Sequence, residues 1–444
     1  MKIAYLTAGA AGMYCGSCLH DNTLASALLD LGEEIVLVPI YTPIRTDEVD
    51  VSQPRVFVGG INAYLQQKFR IFRHTPGWFD RIWDHPALLR LLTGRGASID
   101  PAKLGGMTVS MLQGELGNQH KELEKLVDWL LDEVEPDVVH LSNSMMLGLA
   151  RKIAERCGPP VVCSLSGEDI FLEKLKQPHY QQARNLLRER AAEVNAFVAL
   201  NQYYADYMAD YLSVERARIH VIPHGLNLEG HGSSPDQTGG KPQRIGYLAR
   251  VCVDKGLHLL VEACEHLIHK HGLPEIELQA AGYLGASDRG YFEQIQKRVG
   301  QGPLAGKFTY HGELDRNEKI SFLQSLDVFS TPTLYRESKG LPLLEAWANA
   351  IPAVVPAHGT YPELIADTGG GLLCRPHDAE DLANRLAELL RHPDEARRLG
   401  SAGRSAIEDH YHSTLMAERT KSLYEKISQG GQGAPRRNEN SYNR

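Results

Sequence analysis

The stretch Arg336-Glu337-Ser338-Lys339-Gly340-Leu341-Pro342-Leu343-Leu344-Glu345-Ala346 sets two glutamates eight positions apart around a glycine and a proline. It follows a short apolar run ending near Thr331 and leads into an apolar helical pattern through Trp347 and Ala350. Gly340 relieves the backbone where a strand turns into a helix. Pro342 suits the first helical position, where its missing N–H costs nothing. The amides of Gly340, Leu341, Leu343 and Leu344 are then expected to point out of the helix start, where an anion, above all a phosphate, is the natural ligand.

Glu337 stands before this turn and Glu345 within the first helical turns, so the two carboxylates can reach opposite ends of a ligand lying across it. Carboxylates accept hydrogen bonds from vicinal hydroxyls, which makes the sugar and ribose of a nucleoside diphosphate sugar plausible targets. Taken alone, the pair reads more simply as a loop charge and a partner for the helix dipole. A second feature changes that balance. The strand pattern 244–249 ends in Arg250-Val251-Cys252-Val253-Asp254-Lys255-Gly256-Leu257, followed by a helical run over 258–267. Arg250 and Lys255 thus stand at the carboxyl end of a strand, where ligands of open α/β sheets bind. Two cations there would neutralise a diphosphate and support its departure.

Further outward, strand and helix alternate twice over. Apolar, β-branched runs lie at 2–7, 34–41, 138–142, 160–166, 196–201 and 220–223, with helical patterns at 23–31 and 121–134 among them. A second set lies at 244–249, 275–281, 308–311, 328–331, 353–356 and 371–375. Strands separated by helices predict parallel sheets covered on both faces. The Gly-, Ser- and Asn-rich residues 223–242 read as a linker. The division expected is an amino-terminal domain over 1–222 and a carboxy-terminal domain over 243–412. An amphipathic helix over 413–428 and a disordered tail over 429–444 complete it.

The 444 residues suit two domains, and 43% hydrophobic with 23% charged residues is an ordinary globular balance. A net charge of −8 argues against a nucleic-acid partner. No apolar run is long enough to span a bilayer or to act as a secretory signal. Seven scattered cysteines are no disulfide framework, so a reduced, cytoplasmic protein is expected.

The paired glutamates, the Arg250/Lys255 pair and the segment Val221-Ile222-Pro223-His224-Gly225-Leu226-Asn227 together resemble the retaining GT-B glycosyltransferases of family 4. The likeness runs from Met1 to about Ile427 and is stronger after Phe197. It implies two Rossmann-like doubly wound α/β domains facing a central cleft, with the last helix crossing back to the first domain. It implies further that Arg250 and Lys255 bind the donor diphosphate and that Glu337 contacts the donor sugar. Ser338 lies in the same donor loop, the Gly340–Leu341 backbone takes the phosphates and Glu345 takes the ribose. The function implied is transfer of a hexosyl unit, glucosyl by default, from a nucleotide sugar to a hydroxyl acceptor. Glu337, Arg250 and Lys255 carry the chemistry, and neither a metal nor another cofactor is required. A sugar phosphorylase or epimerase on the same fold, or a non-catalytic sugar- or nucleotide-binding protein, is the alternative.

The amino-terminal half departs from the family pattern. Where relatives often carry histidines at the ends of two strands, this chain has Ser142 and Ser166. Gly12, in the Gly-rich segment after the first strand, and His140, Asn143, Glu168 and Asp169 are the cleft candidates; His140 reads equally as a hydrogen-bonded core histidine. Cys15 and Cys18 form a CxxC with neither a second pair for zinc nor a thioredoxin-like context, so small side chains packing a tight loop are expected. Residues 61–96 mix aromatics with six Lys/Arg against two Asp. That segment reads first as a cap on the amino-terminal sheet, broken by Pro76 and Pro86, and second as a membrane-surface patch leading to a lipid-linked acceptor.

Overall fold

The computed structural model describes residues 1–9, 15–57, 101–232 and 242–431. The expectations for Gly12, for the segment 61–96 and for the tail from residue 432 lie outside the described residues, while the first tail residues, 429–431, continue the last helix instead of being disordered.

Two six-stranded sheets form the scaffold, and every strand pair in both is parallel. The first contains β1 (Lys2–Thr7), β2 (Glu34–Pro39), β3 (Val138–Leu141), β4 (Val161–Leu165), β5 (Ala196–Ala199) and β6 (Ile219–Val221), in the order β2-β1-β3-β4-β5-β6. The second contains β7 (Gln243–Leu248), β8 (Ile276–Ala281), β9 (Phe308–Tyr310), β10 (Val328–Phe329), β11 (Ala353–Pro356) and β12 (Gly371–Cys374), in the order β12-β11-β10-β7-β8-β9. Strands such as Val138–Leu141 and Ala353–Pro356 are buried at every position, which is why they read as continuous apolar runs rather than alternating ones.

The α-helices of the first half are α1 (Gly16–Asp30), α2 (Pro101–Leu112), α3 (His120–Trp129), α4 (Ala150–Cys157), α5 (Asp169–Leu172), α6 (His179–Arg190) and α7 (Gln202–Leu212). Those of the second are α8 (Leu257–His269), α9 (Arg289–Gln301), α10 (Arg316–Gln324), α11 (Leu341–Trp347), α12 (Tyr361–Thr368), α13 (Ala379–Arg391) and α14 (Pro393–His410). Local chemistry sets several starts. Asp315 and Glu318 form a reciprocal capping box at α10, and Asp378 accepts the Asp381 amide at 2.8 Å to begin α13.

The last helix, α15 (Ser413–Gly431), returns to the first sheet. Its Met416, Ala417, Leu423 and Tyr424 share a core with Ile3, Tyr5, Leu24 and Leu28. Lys421 pairs with Glu33 at 2.5 Å beside that core. A bridge between Leu226 and His412 sets the two crossings of the chain side by side. These are two Rossmann-like doubly wound domains. In the second, the strand order reverses between β7 and β10, so the segments following those two strands flank one crevice. No helix among the described residues is long and apolar enough to cross a membrane.

Candidate active site

The crevice between β7 and β10 brings together residues 82 positions apart. Lys255 Nζ lies 2.8 Å from Glu337 Oε2. Two glycines make this approach geometrically feasible. Gly256, at φ +75°, leads into α8, and a Cβ on it would lie 1.8 Å from the Pro332 carbonyl oxygen. Gly340, at φ +71°, is the residue from which α11 starts. Glu337 is buried yet well supplied with donors. Besides Lys255, the Tyr335 hydroxyl donates to it at 2.8 Å, and the amides of Ser338 and Lys339 at 3.2 Å each. Burial alone would raise this carboxyl. The Lys255 charge and hydrogen bond, with help from Tyr335, outweigh it and hold Glu337 at about 2. Arg250 is exposed at the rim, its guanidinium nitrogens 3.4 Å from the Cys252 sulfur.

The helix start differs from the sequence expectation in one respect. Pro342 takes the second helical position, and the amides of both Leu343 and Leu344 bond the Gly340 carbonyl, at 2.9 and 3.1 Å. Leu343 and Leu344 therefore offer no outward donors, which leaves Gly340 and Leu341 as the ones a phosphate could use. Ser338 is buried, with its carbonyl accepting from Asn201 Nδ2 at 2.7 Å. Glu345 is buried as well. Lys319 Nζ lies 2.5 Å from Glu345 Oε1 and 2.5 Å from Asp47 Oδ2, so one ammonium joins carboxylates from both domains. Burial raises the Glu345 carboxyl, Asp47 adds to this, and Lys319 works against it.

The amino-terminal candidates are mostly committed to the fold. His140 is fully buried. Its Nδ1 contacts the Tyr424 hydroxyl at 2.5 Å and its Nε2 the Ser164 hydroxyl at 2.8 Å, and burial lowers the ring to about 3. It is thus a neutral core histidine that anchors α15, not a cleft residue. Glu168 uses both oxygens on backbone, accepting the Ser144 amide at 2.9 Å and the Ser166 amide at 2.7 Å. Asp169 accepts the Tyr204 hydroxyl at 2.6 Å, and Asn143 caps its own turn through the Met145 amide at 3.1 Å. Ser142 accepts the Ala8 amide at 3.2 Å, tying β3 to the end of β1.

Two sequence profiles match side by side. Residues 110–229 match the Glycosyltransferase Family 4 profile, and residues 235–406 match Glycosyl transferases group 1. The chain belongs to the group 1, family 4 glycosyltransferases. Among its relatives is alpha-maltose-1-phosphate synthase of Mycolicibacterium smegmatis, 28% identical over 66% of this chain and 79% of that protein. Another is phosphatidyl-myo-inositol mannosyltransferase of the same organism, 23% identical over 84% of this chain and 92% of that protein. Among solved structures, sucrose-phosphate synthase from Thermosynechococcus elongatus aligns over 97% of this chain and 100% of its own at a TM-score of 0.70 and 16% identity. HepE from Anabaena, in complex with UDP, covers 96% of this chain and 100% of its own at 0.68 and 16%. These likenesses place the glycosyltransferase in the GT-B architecture.

Several of the glycosyltransferase's site neighbours escape a sequence reading. Tyr335 stands two residues before Glu337 but carries no motif of its own. Lys319 interrupts the apolar stripe of Ile320 and Leu323, and a lysine at such a position is the one local signal of a buried partner. Asp47 lies in a loop whose reach only the tertiary structure reveals. At the domain seam, Lys339 donates to Ser17 at 2.5 Å, and His20 and His224 meet through their Nδ1 atoms at 2.7 Å. Both histidines line a small cavity with Asp21, Ser164 and Lys339. Burial and the nearby Lys339 charge push His20 to about 3. Burial raises the Asp21 carboxyl to about 7, although Thr7 and Tyr5 donate to it.

Proposed function

We propose that this glycosyltransferase moves a hexosyl unit, glucosyl by default, from a nucleoside diphosphate sugar to a hydroxyl of a sugar, glucan or lipid-linked acceptor, with retention of anomeric configuration. The observation that carries this reading is the Lys255–Glu337 pair in front of the Gly340–Leu341 helix start, with Arg250 exposed beside it at the strand-order reversal. Donor diphosphate oxygens would take the Gly340 and Leu341 amides. An ammonium carries three donors, so Lys255 can hold Glu337 and a phosphate oxygen together while Arg250 closes the other side. Glu337, ionised at any working pH, accepts sugar hydroxyls, and Glu345 accepts those of the ribose in the place Asp47 now fills.

In the transfer step the acceptor hydroxyl approaches the anomeric carbon on the face from which the diphosphate departs. The C–O bond to the acceptor forms as the bond to the leaving oxygen breaks, and that oxygen takes the acceptor proton. Arg250, Lys255 and the helix start stabilise the charge that builds up there. The step uses no side-chain nucleophile and calls for no metal. UDP-glucose is the default donor, and it suits this choice that a structural neighbour is described in complex with UDP and glucose. Seven free cysteines suit a cytoplasmic setting. Contact with the inner membrane face would rest on residues 61–96.

The test is nucleotide release from a panel of UDP-, ADP- and GDP-sugars without added acceptor, by the native chain and by Glu337→Ala. Slow release from one donor, lost in the variant, supports the reading and identifies the donor. Silence across the panel, with no heat of binding for any donor in calorimetry, overturns it.

A further inference from the structure

The Cys15-Gly16-Ser17-Cys18 turn has no part in the transfer step. Cys15 is the residue before α1, and its carbonyl already accepts the Leu19 amide at 3.0 Å. The chain is therefore wound from this point, and side chains three apart share one side of the first turn. Cys18 is only 1% exposed and packs in the core beneath α1, whereas Cys15 is half-buried at the edge of that core. Lys339 arrives on the same turn from the other domain, donating to the Ser17 hydroxyl at 2.5 Å.

These surroundings separate the two sulfurs chemically. The neighbouring Cys18 thiol and the Lys339 charge hold the Cys15 thiol well below its usual range against the effect of burial. Cys18 is driven up by its neighbour Cys15 and by burial. Burial also raises the thiols of Cys157, Cys163, Cys264 and Cys374. A half-buried sulfur at a helix start, with a cation on the same turn and a second thiol three residues on, differs from the packing pair that spacing alone suggests. The turn also touches the donor loop. Ser17 holds Lys339, and a Cβ on Gly16 would lie 3.3 Å from Leu341 Cδ2.

We propose that Cys15 and Cys18 form a reversible disulfide with small-molecule disulfides as oxidant, and that its closure slows transfer by displacing the start of α1 from Lys339 and Leu341. The Cys15 thiolate attacks one sulfur of the oxidant, whose S–S bond breaks to release one thiolate. Cys18 then gives up its proton, attacks the Cys15 sulfur of the mixed disulfide and releases the second thiolate. Two protein thiols are oxidised, and one small disulfide is reduced to two thiols. Formation of the disulfide stands independently of the transferase reading, while its effect on rate rests on that reading.

The experiment equilibrates the full chain in glutathione buffers from reducing to oxidising, traps free thiols and maps tryptic peptides. No Lys or Arg lies between residues 3 and 44, so residues 3–45 form one tryptic peptide carrying both sulfurs. The expected result is loss of two hydrogen masses from that peptide, reversed by dithiothreitol, with Cys18→Ser instead accumulating one glutathione on Cys15. Nucleotide release should fall roughly tenfold in the oxidised chain, as a small displacement beside the donor would cause. It should recover on reduction and be indifferent to the buffer in Cys15→Ser/Cys18→Ser. A peptide that keeps both thiols free in the most oxidising buffer overturns the site. A closed disulfide with unchanged release overturns the coupling to transfer.

Discussion

Glu337 and Lys255 depend on each other, and each can be tested through the other. Replacing Lys255 by Ala removes a cation from the diphosphate and strips the main partner from a buried carboxylate. We expect kcat to fall by about two to three orders of magnitude, the range for losing one preorganised stabilising group. Stability carries a separate signature. Folding depresses the Glu337 carboxyl from 4.5 to about 2, so between those values the unfolded chain binds the extra proton. The stabilisation is complete above pH 4.5 and is lost as pH falls toward 2. Urea melts of the native chain and Glu337→Gln should differ by a constant amount from pH 8 to pH 5. The gap should narrow below pH 4.5; one that stays constant down to pH 3 would refute the assignment. None of this mutual dependence is visible along the chain, because the partners stand 82 residues apart. The residue types and the turn between them are readable. That both glutamates are already held by lysines is not, and for His140 the sequence leaves core and cleft open, which the two ring bonds inside the core decide.

Among the elements, the alternation of apolar runs and amphipathic helices announces parallel sheets, because strands buried on both faces can hardly be written otherwise. Strand order has no such local mark. It follows from which crossovers close without crossing, and so the crevice between β7 and β10 appears only once the sheet is assembled. Gly256 and Gly340 share a positive φ but differ in what surrounds them. A Cβ on Gly256 meets the Pro332 carbonyl at 1.8 Å, whereas one on Gly340 meets the end of the flexible Leu364 side chain at 2.5 Å. Gly340→Ala should therefore fold at a cost of about 1–2 kcal/mol, with donor binding weakened at the helix start. Gly256→Ala should lose more, since backbone cannot step aside. Denaturant midpoints rank the two, and equal losses would count against this account of the loop packing. The docking of α15 offers a third case. Tyr424→Phe leaves His140 Nδ1 buried without its partner, at about 1–3 kcal/mol. Thermal melting should drop while nucleotide release at low temperature stays near the native rate. A selective loss of activity would return His140 to the cleft.

At the scale of the whole molecule, the two domains meet through charge as well as through the seam around His20 and His224. Lys174 pairs with Asp254 at 2.6 Å, Arg45 with Glu313 at 3.3 Å, Arg316 with Glu48 at 3.4 Å and Lys319 with Asp47 at 2.5 Å. The first two are partly exposed and contribute little each, whereas Arg316 and Glu48 are largely buried. The last differs, because Asp47 reaches the ammonium that holds Glu345, the carboxylate assigned to the donor ribose. On the proposed placement of the ribose beside Glu345, a donor has to part Asp47 from Lys319 before it can bind there. Its apparent affinity is then reduced by the fraction of molecules in which the contact is open. If the contact biases closure by about 1.4 kcal/mol, that reduction is tenfold. Asp47→Asn removes the attraction and leaves Lys319 paired with Glu345, so no buried charge is stranded. Donor KM should fall severalfold while kcat changes by less than about twofold, since the group does not touch the reacting atoms. Steady-state kinetics on the donor found in the panel decides this. A raised KM would mean instead that Asp47 moves with the closing domain onto the bound nucleoside and belongs to the donor site itself.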